Sequence, residues 1–459
     1  MTGHKFSPQI LREYDIRGTV GETLFPADAY ALGRSFGTMV ARRDGRLVCV
    51  GFDGRVSSPE LEASLIEGLC ASGMQVLRSG LGPTPSLYFA TKSMQADGGI
   101  MVTGSHNPPN HNGFKMMLGG ASFWGDDIQK LGAMAAAGDW VDGAGSARVV
   151  ELMAAYVSRL RIDYTAARGL KVAWDAGNGS AGEAMVALTR QLPGTHVLLN
   201  EKIDGTFPSH HPDPTVPENL KQLQEAVARE NCDLGIAFDG DGDRIGVVDG
   251  KGRILWGDQL LSIYARDLLS RRPGATVIAD VKASQVLFDE IKQYGGKPVM
   301  AATGHSIIKT KMAELAAPLA GEMSGHIFFA DRYYGFDDAL YAAIRLLDIV
   351  AHGDQSLAEM RDALPQVVNT PEIRFEISED RKFAVIDEVK TRLAGTADKV
   401  DDTDGVRVLN EDGWWLLRAS NTQAVLVVRC ESASDVGLAR LKATVIDHLR
   451  SSGVDAPAF

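Results

Sequence analysis

Short apolar runs alternate with amphipathic stretches over most of the chain, and this alternation predicts an α/β protein. Residues 47–50, 170–175 and 276–280 each predict a strand, because each is a short and mostly aliphatic run. A helical pattern, a second strand, a second helix and a third strand follow each of these runs. The third strand of each segment ends in a polar loop, at residues 103–109, 239–244 and 321–326.

The three segments share one plan, which indicates a diverged triple repeat of one α/β unit. In each segment the first strand ends at an aspartate, namely Asp53, Asp175 or Asp280. Alternating strands and helices favour largely parallel pairing, so ligand sites are expected in the loops after the strands. Ser57-Ser58-Pro59 predicts the start of the first helix, with a capping hydroxyl and a proline in the first turn.

The last quarter of the chain has a different pattern. Pro365 and Pro371 bracket a predicted linker. Strand patterns follow at 372–377, 405–409, 413–418 and 424–430, with a helix after the first of them and a last helix near 438–449. This order predicts a smaller α+β domain.

The repeat and the different last quarter predict four domains, where the length of 459 residues alone suggests about three. The predicted domains span residues 1–150, 151–254, 255–366 and 367–459.

Composition and charge narrow the class of protein. Apolar residues make up 45% and charged residues 23%, which excludes a disordered, collagen-like or coiled-coil chain. The 59 acidic residues outnumber the 47 basic ones, and the net charge of −12 disfavours nucleic-acid and membrane partners. The four cysteines lack C-x-x-C and zinc-ligand spacing, and no signal peptide or membrane-spanning run is visible. A cytoplasmic protein is therefore expected.

An acidic loop is the strongest chemical signal. Asp239, Asp241 and Asp243 alternate with glycines, so an extended loop places their carboxylates on one side. Such carboxylates repel one another unless a cation joins them, and oxygen ligands suit Mg²⁺ or Ca²⁺. The calcium-hand motif fails, because Arg244 and Gly250 stand where it requires glycine and glutamate. A Mg²⁺ site open to a phosphate oxygen fits better than the alternative, a solvated acidic turn.

Ser105 lies in a polar loop that is not an esterase elbow, because Thr103 and Asn107 replace the flanking glycines of that motif. The serine is either a plain turn residue or the carrier of a phosphoryl group, which would require a divalent cation and basic neighbours. Lys115 and Arg244 could supply the positive charge, although a surface lysine and an ion pair with the acidic loop are the simpler readings.

Two further loops carry groups suited to a sugar phosphate. Their polar residues are Glu322, Ser324 and His326 in the first loop, and Arg418, Ser420, Asn421 and Thr422 in the second. The first set can hydrogen-bond sugar hydroxyls, and the second places a forked cation beside hydroxyl and amide groups that suit a phosphate. Each loop taken alone could equally be a surface turn. The P-loop motif and a dinucleotide-binding glycine motif after a strand are absent.

Together the four loops resemble those of the α-D-phosphohexomutase family, in its bacterial phosphomannomutase/phosphoglucomutase group. Residues 103–108 resemble the phosphoserine loop, 239–244 the Mg²⁺ loop, 322–326 the sugar-binding loop and 418–422 the phosphate loop of the fourth domain. The four motifs occur in the order of the family, and the resemblance covers nearly the whole chain.

The resemblance implies an α/β fold of three related domains with mixed sheets. A C-terminal α+β domain similar to the TATA-binding-protein fold would complete a central cleft. It also implies an enzyme that interconverts glucose or mannose 1-phosphate and 6-phosphate through a phosphoserine and a hexose 1,6-bisphosphate. Mg²⁺ would be the cofactor, glucose 1,6-bisphosphate the activator, hexose phosphates the substrates, and the protein a monomer.

The resemblance also assigns roles to residues. Catalytic roles fall to Ser105, His106, Lys115 and Arg244, with Lys115 and His106 as the candidate acid and base. Metal ligation falls to Ser105 with Asp239, Asp241 and Asp243. Substrate contacts fall to Tyr14, Arg17, Lys282, His305, Glu322, Ser324, His326, Arg418, Ser420, Asn421 and Thr422. Phe52 departs from the family pattern, which leads us to expect a basic residue there, and we expect that position to be structural.

Two other functions compete with this interpretation. Phosphoglucosamine mutase is the nearest enzyme, but that group usually carries glutamine where this chain has Met323. A non-catalytic sugar-phosphate-binding protein would require neither the acidic loop nor a phosphoserine.

Overall fold

The computed structural model describes residues 3–396, 398–421 and 423–455, which form four sheets. The predicted substrate contact Thr422 lies outside the described residues. Within these ranges, no helix combines the length and the apolar character needed to cross a membrane.

The first sheet has seven strands in the order β1-β5-β4-β2-β3-β7, with β6 paired to β5. Its strands are β1 (Ile16–Thr19), β2 (Leu47–Phe52), β3 (Gln75–Leu81), β4 (Gly98–Val102), β5 (His111–Leu118), β6 (Ala121–Phe123) and β7 (Ser146–Val149). Its helices are α1 (Pro26–Ala41), α2 (Ser58–Ala71), α3 (Thr84–Ser93) and α4 (Asp126–Ala137). Along β2, Val48 and Val50 join one apolar cluster and Cys49 another, so both faces of the sheet are covered.

The second sheet has the order β12-β11-β10-β8-β9. Its elements are α5 (Met153–Arg161), β8 (Leu170–Asp175), α6 (Gly182–Thr189), β9 (Gly194–Leu199), a 3₁₀ turn (Pro217–Leu220), α7 (Lys221–Glu230), β10 (Leu234–Phe238), β11 (Ile245–Asp249) and β12 (Ile254–Leu255).

The third sheet has the order β14-β13-β15-β16. Its elements are α8 (Gly257–Arg271), β13 (Thr276–Asp280), α9 (Gln285–Gln293), β14 (Lys297–Ala301), α10 (His305–Leu315), β15 (Leu319–Gly321), β16 (Ile327–Phe329), α11 (Ala339–His352) and α12 (Leu357–Asp362). One continuous apolar core includes Trp174 below the second sheet and Tyr341 of α11, both fully buried. This shared core fixes the second and third sheets relative to each other.

The fourth sheet is antiparallel, with the order β17-β22-β21-β20-β19 and with β18 paired to β22. Its elements are β17 (Val368–Asn369), β18 (Ile373–Glu376), α13 (Lys382–Leu393), β19 (Lys399–Asp401), β20 (Val406–Asn410), β21 (Gly413–Ala419), β22 (Val425–Ser432) and α14 (Asp435–Ser451). The predicted linker is thus short, because the chain already pairs with this sheet at Val368.

The predicted repeat is confirmed by the topology. In each of the first three sheets the first strand of the unit lies between the second and third strands and is parallel to both. A fourth strand then pairs antiparallel with the third, which makes the sheets mixed. The loops at 103–110, 239–244 and 322–326 all join the third strand to this fourth strand. The three candidate loops therefore occupy the same position of the repeat.

The predicted cap of α2 is wrong, although the helix begins at the predicted place. The side chain of Ser57 caps no backbone amide and instead accepts a hydrogen bond of 2.9 Å from the Asn112 amide. Ser58 donates to Asp53 at 2.6 Å. Both hydroxyls are occupied by neighbouring loops, so they are not available to the helix terminus. Phe52 is half-buried and packs against the apolar cluster of the first domain.

Candidate active site

A cleft of about 1160 Å³ opens where the three repeat loops face the fourth domain. Every described residue that the sequence predicts to be catalytic or to contact substrate lines this cleft. These residues are Tyr14, Arg17, Ser105, His106, Lys115, Arg244, Lys282, His305, Glu322, Ser324, His326, Arg418, Ser420 and Asn421. The structure thus brings together groups that are up to four hundred positions apart in the sequence.

Ser105 lies at the floor of the cleft in an unusual backbone conformation. Its φ of 50° falls in the left-handed region, which is uncommon for a residue with a side chain. The Ser105 hydroxyl donates to Asp239 Oδ2 at 3.2 Å and lies 3.1 Å from His106 Nδ1. This turn directs the hydroxyl at the acidic loop, with an imidazole beside it.

The backbone of this turn is held by Thr103. The Ser105 amide donates to Thr103 Oγ1 at 2.8 Å. The Thr103 hydroxyl donates in turn to Asp53 at 2.8 Å and lies 3.1 Å from Asp241 Oδ2. Thr84 also donates to Asp241, at 2.5 Å. Hydroxyl groups therefore connect the serine loop to the acidic loop of the next domain.

Asp239, Asp241 and Asp243 lie beneath the cleft floor and are fully buried. Their oxygens come within 4.8 Å of one another. The Lys115 ammonium, on β5, lies 2.7 Å from Asp241 Oδ2 and also contacts Asp243. Asp241 Oδ1 and Asp243 Oδ1 are buried without a hydrogen-bond partner among the described residues. Buried carboxylate oxygens rarely remain unpaired, so these residues fit a divalent metal ion.

The close packing of these buried carboxylates and Lys115 shifts their pKa values. Burial and the carboxylates of Asp241 and Asp243 raise the pKa of Asp239 well above its usual value. Burial acts on Asp241 too, but Lys115 outweighs it and holds the pKa of Asp241 below the usual value. Burial lowers the pKa of Lys115, yet the surrounding carboxylates outweigh it and raise that pKa. Lys115 is therefore a protonated cation in this arrangement.

His106 has the opposite character. Burial and the nearby guanidinium groups of Arg244 and Arg17 lower the pKa of His106 well below its usual value. The imidazole is therefore neutral near pH 7, so it can take part in proton transfer at the Ser105 oxygen.

A second buried network lies on the other side of Asp243. Arg244 Nε donates to His326 Nε2 at 3.0 Å, and His326 Nδ1 lies 3.0 Å from Asp337 Oδ2. The ammonium of Lys309 lies 2.9 Å from the other oxygen of Asp337. The sequence prediction missed Asp337 and Lys309, because neither belongs to a recognisable motif. They hold the ring of His326 against the acidic loop.

The predicted sugar-binding loop is fixed by its own acid and by β13. Glu322 Oε1 accepts the Gly304 amide at 2.7 Å, and the Met323 amide donates to Asp280 at 3.1 Å. Asp280 thus supports this loop just as Asp53 supports the serine loop, where it accepts the Gly104 amide at 3.1 Å. This shared contact explains why the first strand of each of these two units ends at an aspartate.

The cations near the fourth domain are paired with carboxylates. The Lys282 ammonium lies 3.0 Å from Glu372, and Arg418 Nε donates to Asp404 at 2.9 Å. The sequence prediction missed both acids. Glu372 directly follows the predicted linker, and Asp404 lies in a turn before β20, so neither position carries a local signal of its role.

Cationic side chains nevertheless line both ends of the cleft. Lys115, Arg244 and Arg17 surround the serine loop, and Lys282 and Arg418 face it from the third and fourth domains. Such a cleft can bind a ligand with an anionic group at each end, despite the net charge of −12.

Four family models match the chain in sequence order. They describe the phosphoglucomutase/phosphomannomutase alpha/beta/alpha domains I, II and III and the C-terminal domain of the same proteins, at residues 8–141, 151–252, 256–368 and 372–448.

Curated relatives and a solved structure agree with these models. A phosphomannomutase/phosphoglucomutase of Pseudomonas aeruginosa is 45% identical over 448 residues, which cover 98% of this chain and 97% of that protein. A phosphoglucomutase of Neisseria gonorrhoeae is 42% identical and is matched over 94% of this chain and 95% of its own. The crystal structure of a phosphoglucomutase/phosphomannomutase family protein from Burkholderia thailandensis superposes with a TM-score of 0.93 at 42% identity, covering 98% and 99% of the two chains.

Proposed function

Because the chain belongs to the phosphoglucomutase/phosphomannomutase family, we propose that it moves a phosphoryl group between the 1- and 6-positions of a hexose by way of Ser105. The chain is a mutase that interconverts hexose phosphates. The route and the residues that perform it are the proposal. The observation that supports Ser105 most directly is its hydroxyl, which lies 3.2 Å from Asp239 and 3.1 Å from His106 at the floor of a cationic cleft.

The reaction proposed here has two transfers. Phosphorylated Ser105 gives its phosphoryl group to the free hydroxyl of a hexose monophosphate: the bond from phosphorus to Ser105 Oγ breaks, and one to the sugar oxygen forms. The resulting hexose 1,6-bisphosphate turns end for end, and its other phosphoryl group returns to Ser105. In the first transfer the sugar hydroxyl loses its proton and the departing Ser105 oxygen gains one; in the second the Ser105 hydroxyl loses its proton and the departing sugar oxygen gains one.

The protein's own groups handle that proton and the charge. Neutral His106, with Nδ1 3.1 Å from the Ser105 oxygen, relays the proton: one ring nitrogen takes it from the hydroxyl that attacks, while the other gives its own to the oxygen that leaves. Lys115 and Arg244 stay cationic and offset the negative charge of the phosphoryl group as it moves. The expected role of Lys115 as a base gives way to this one, because the carboxylates around it raise its pKa.

Asp239, Asp241 and Asp243, with an oxygen on Ser105, would hold Mg²⁺ at the serine. When bound, the ion supplies neutralisation of charge on the phosphoryl oxygens. The buried and unpartnered oxygens of Asp241 and Asp243, among the described residues, are the structural support for this assignment.

The remaining residues of the cleft would orient the sugar. Glu322 and Ser324 would contact the 3- and 4-hydroxyls, which both orientations of the hexose present in a similar way. Glucose and mannose would both fit, because they differ only at the 2-hydroxyl and these contacts do not involve it. The distal phosphate and the sugar would be bound by Tyr14, Arg17, Lys282, His305, His326, Arg418, Ser420, Asn421 and Thr422.

The protein would act as a monomer in the cytoplasm, with glucose 1,6-bisphosphate as the activator that phosphorylates Ser105. Its domains would span 1–150, 151–254, 255–366 and 367–459, with hinge motion between the last two.

Rates on glucose, mannose and glucosamine 1-phosphates, with the enzyme primed by glucose 1,6-bisphosphate, test this function. We expect turnover of the first two sugars and a lower rate on the third. Ser105→Ala should abolish turnover while the variant still binds the sugar phosphates. Full turnover by Ser105→Ala would contradict the proposal, and a preference for glucosamine would favour the phosphoglucosamine mutase alternative.

A further inference from the structure

The guanidinium of Arg55 lies directly beneath the serine loop. Arg55 is 1% exposed, and it donates five hydrogen bonds around the loop. Four of them go to backbone carbonyls: Pro108 at 2.6 Å, Ser105 and Asn107 at 2.7 Å each, and His111 at 2.9 Å. The fifth joins Arg55 Nε to Asp53 at 3.2 Å. One side chain thus donates hydrogen bonds to four carbonyl oxygens of the turn and its surroundings.

Asp53 accepts hydrogen bonds from the donor groups of the same loop. It accepts the Gly104 amide and the Thr103 hydroxyl, while its remaining oxygen accepts the Arg55 amide at 3.0 Å. Asp53 therefore binds the hydrogen-bond donors of the loop, and Arg55 binds its carbonyl oxygens. A forked guanidinium with five N–H groups suits this task, and the single ammonium of a lysine does not.

Glycine at position 104 is required by the same side chain. A Cβ there would lie 2.5 Å from Arg55 Cζ, which is closer than any real contact. The Ser105 carbonyl that Arg55 holds also lies against the acidic loop, because a Cβ on Gly240 would be 2.5 Å from it. The position of Arg55 therefore determines how the serine loop meets the metal loop of the second domain.

A loop of the second domain covers Arg55 from below. The ring of Phe207 lies 5.2 Å from the guanidinium carbon, in a cation–π contact. Gly205 packs on the Arg55 backbone, where a Cβ would lie 2.6 Å from Cα, and the Ile203 side chain contacts Gly54. These contacts tie Arg55 to the second domain.

We propose that Arg55, covered by residues 203–207, is a positioning residue for phosphoryl transfer that holds Ser105 in its left-handed conformation over the acidic loop. This inference rests on the proposed function, because it concerns the same serine. Arg55 does not line the cleft, so it acts through the geometry of the loop. In-line transfer tolerates little displacement, and a shift of about 1 Å can lower a rate about 100-fold.

Arg55→Lys tests the inference, with Arg345→Lys as the matched control. Arg345 is equally buried, pairs with Asp331 at 2.8 Å and packs over Phe329, away from the cleft lining. Both variants lose a buried guanidinium, so their melting temperatures should fall together. We expect kcat to fall about 100-fold in Arg55→Lys, with KM within about threefold of the unmodified chain. The rate at which glucose 1,6-bisphosphate phosphorylates the protein, followed by intact mass, should fall by the same factor.

Gly104→Ala provides a second route if Arg55→Lys does not fold. The added methyl would displace the guanidinium without removing it from the core, and the same loss of kcat is expected. Equal residual activity in Arg55→Lys and Arg345→Lys would overturn the inference, as would a change in KM alone. If the unmodified chain acquires no phosphoryl group, the proposed function fails and the inference falls with it. If the unmodified chain is active and the two lysine variants match, only the inference fails.

Discussion

The side-chain amide of Asn421 donates a hydrogen bond of 2.7 Å to the hydroxyl of Tyr14, which joins the fourth domain to the first across the mouth of the cleft. The Tyr14 hydroxyl in turn donates to the Thr303 carbonyl at 2.8 Å. A Cβ on Gly304 would lie 2.7 Å from the tyrosine ring, so the ring packs directly on the backbone of the third domain. One hydroxyl therefore connects three domains at the cleft.

Removing that hydroxyl should weaken binding through the loss of cleft closure. We expect Tyr14→Phe and Asn421→Ala each to lower kcat/KM, and the double variant to lose less than the product of the two effects. The coupling should be about 0.5–1.5 kcal/mol, the usual net contribution of one hydrogen bond. A double-mutant cycle on kcat/KM measures it. Independent, fully multiplicative losses would show that the two residues act separately.

The acidic loop should bind Mg²⁺ in the folded protein. Ligand that binds only the native state raises stability, so Mg²⁺ should raise the melting temperature of the unmodified chain and have little effect on Asp241→Asn. Thermal melts with increasing Mg²⁺ measure the shift.

Asp249→Asn is the matched control for this prediction. Asp249 is also fully buried at the end of the strand that follows the acidic loop, but its carboxylate pairs with Arg253 at 2.8 Å. Its variant should keep the whole Mg²⁺ shift. An equal shift in Asp241→Asn would place the ion elsewhere.

The local pattern of the sequence predicted the repeat, because the strand and helix periods of each unit are intact. It also predicted that the strands end at Asp53, Asp175 and Asp280; the last two do, and the first ends one residue earlier, at Phe52. It did not predict that β5, which carries Lys115, would be the antiparallel fourth strand of the unit. A single strand with both faces buried has no alternation to show which neighbour it will pair with.

No sequence motif marks the residues that support the site. Asp337 meets His326 and Lys309, and Glu372 meets Lys282, only because separate elements converge on the cleft. Arg55 was visible as part of a turn after β2, but its contacts with a loop about fifty residues away were not. Motifs mark the groups that face a ligand, whereas the groups behind them depend on tertiary packing.

Asp338 should give the stability of the protein a measurable pH dependence. Burial raises its pKa from 3.8 to about 6, although Tyr156 and Tyr333 donate to its carboxylate. Between these values the folded state binds the proton more tightly than the unfolded state does. The contribution of Asp338 is therefore present below pH 4 and is lost as the pH rises through 6, by up to about 3 kcal/mol. Denaturant unfolding of the unmodified chain and of Asp338→Asn should show their difference in free energy falling over this range.

Asp331→Asn should show the opposite slope. Burial raises the pKa of Asp331, but Arg345 outweighs it and holds the pKa below its usual value. The stabilisation by Asp331 is therefore lost as the pH falls. A flat difference for Asp338→Asn between pH 4 and 7 would mean that its carboxyl ionises normally.

A single-turnover transfer shows whether the phosphoryl group passes through Ser105. The protein is labelled with ³²P from a labelled bisphosphate, freed of excess ligand and mixed with unlabelled glucose 1-phosphate. We expect the label to leave Ser105 and to appear in the sugar bisphosphate and in glucose 6-phosphate within one turnover. Turnover with the label retained on the protein, or with label that maps to a residue other than Ser105, would contradict it.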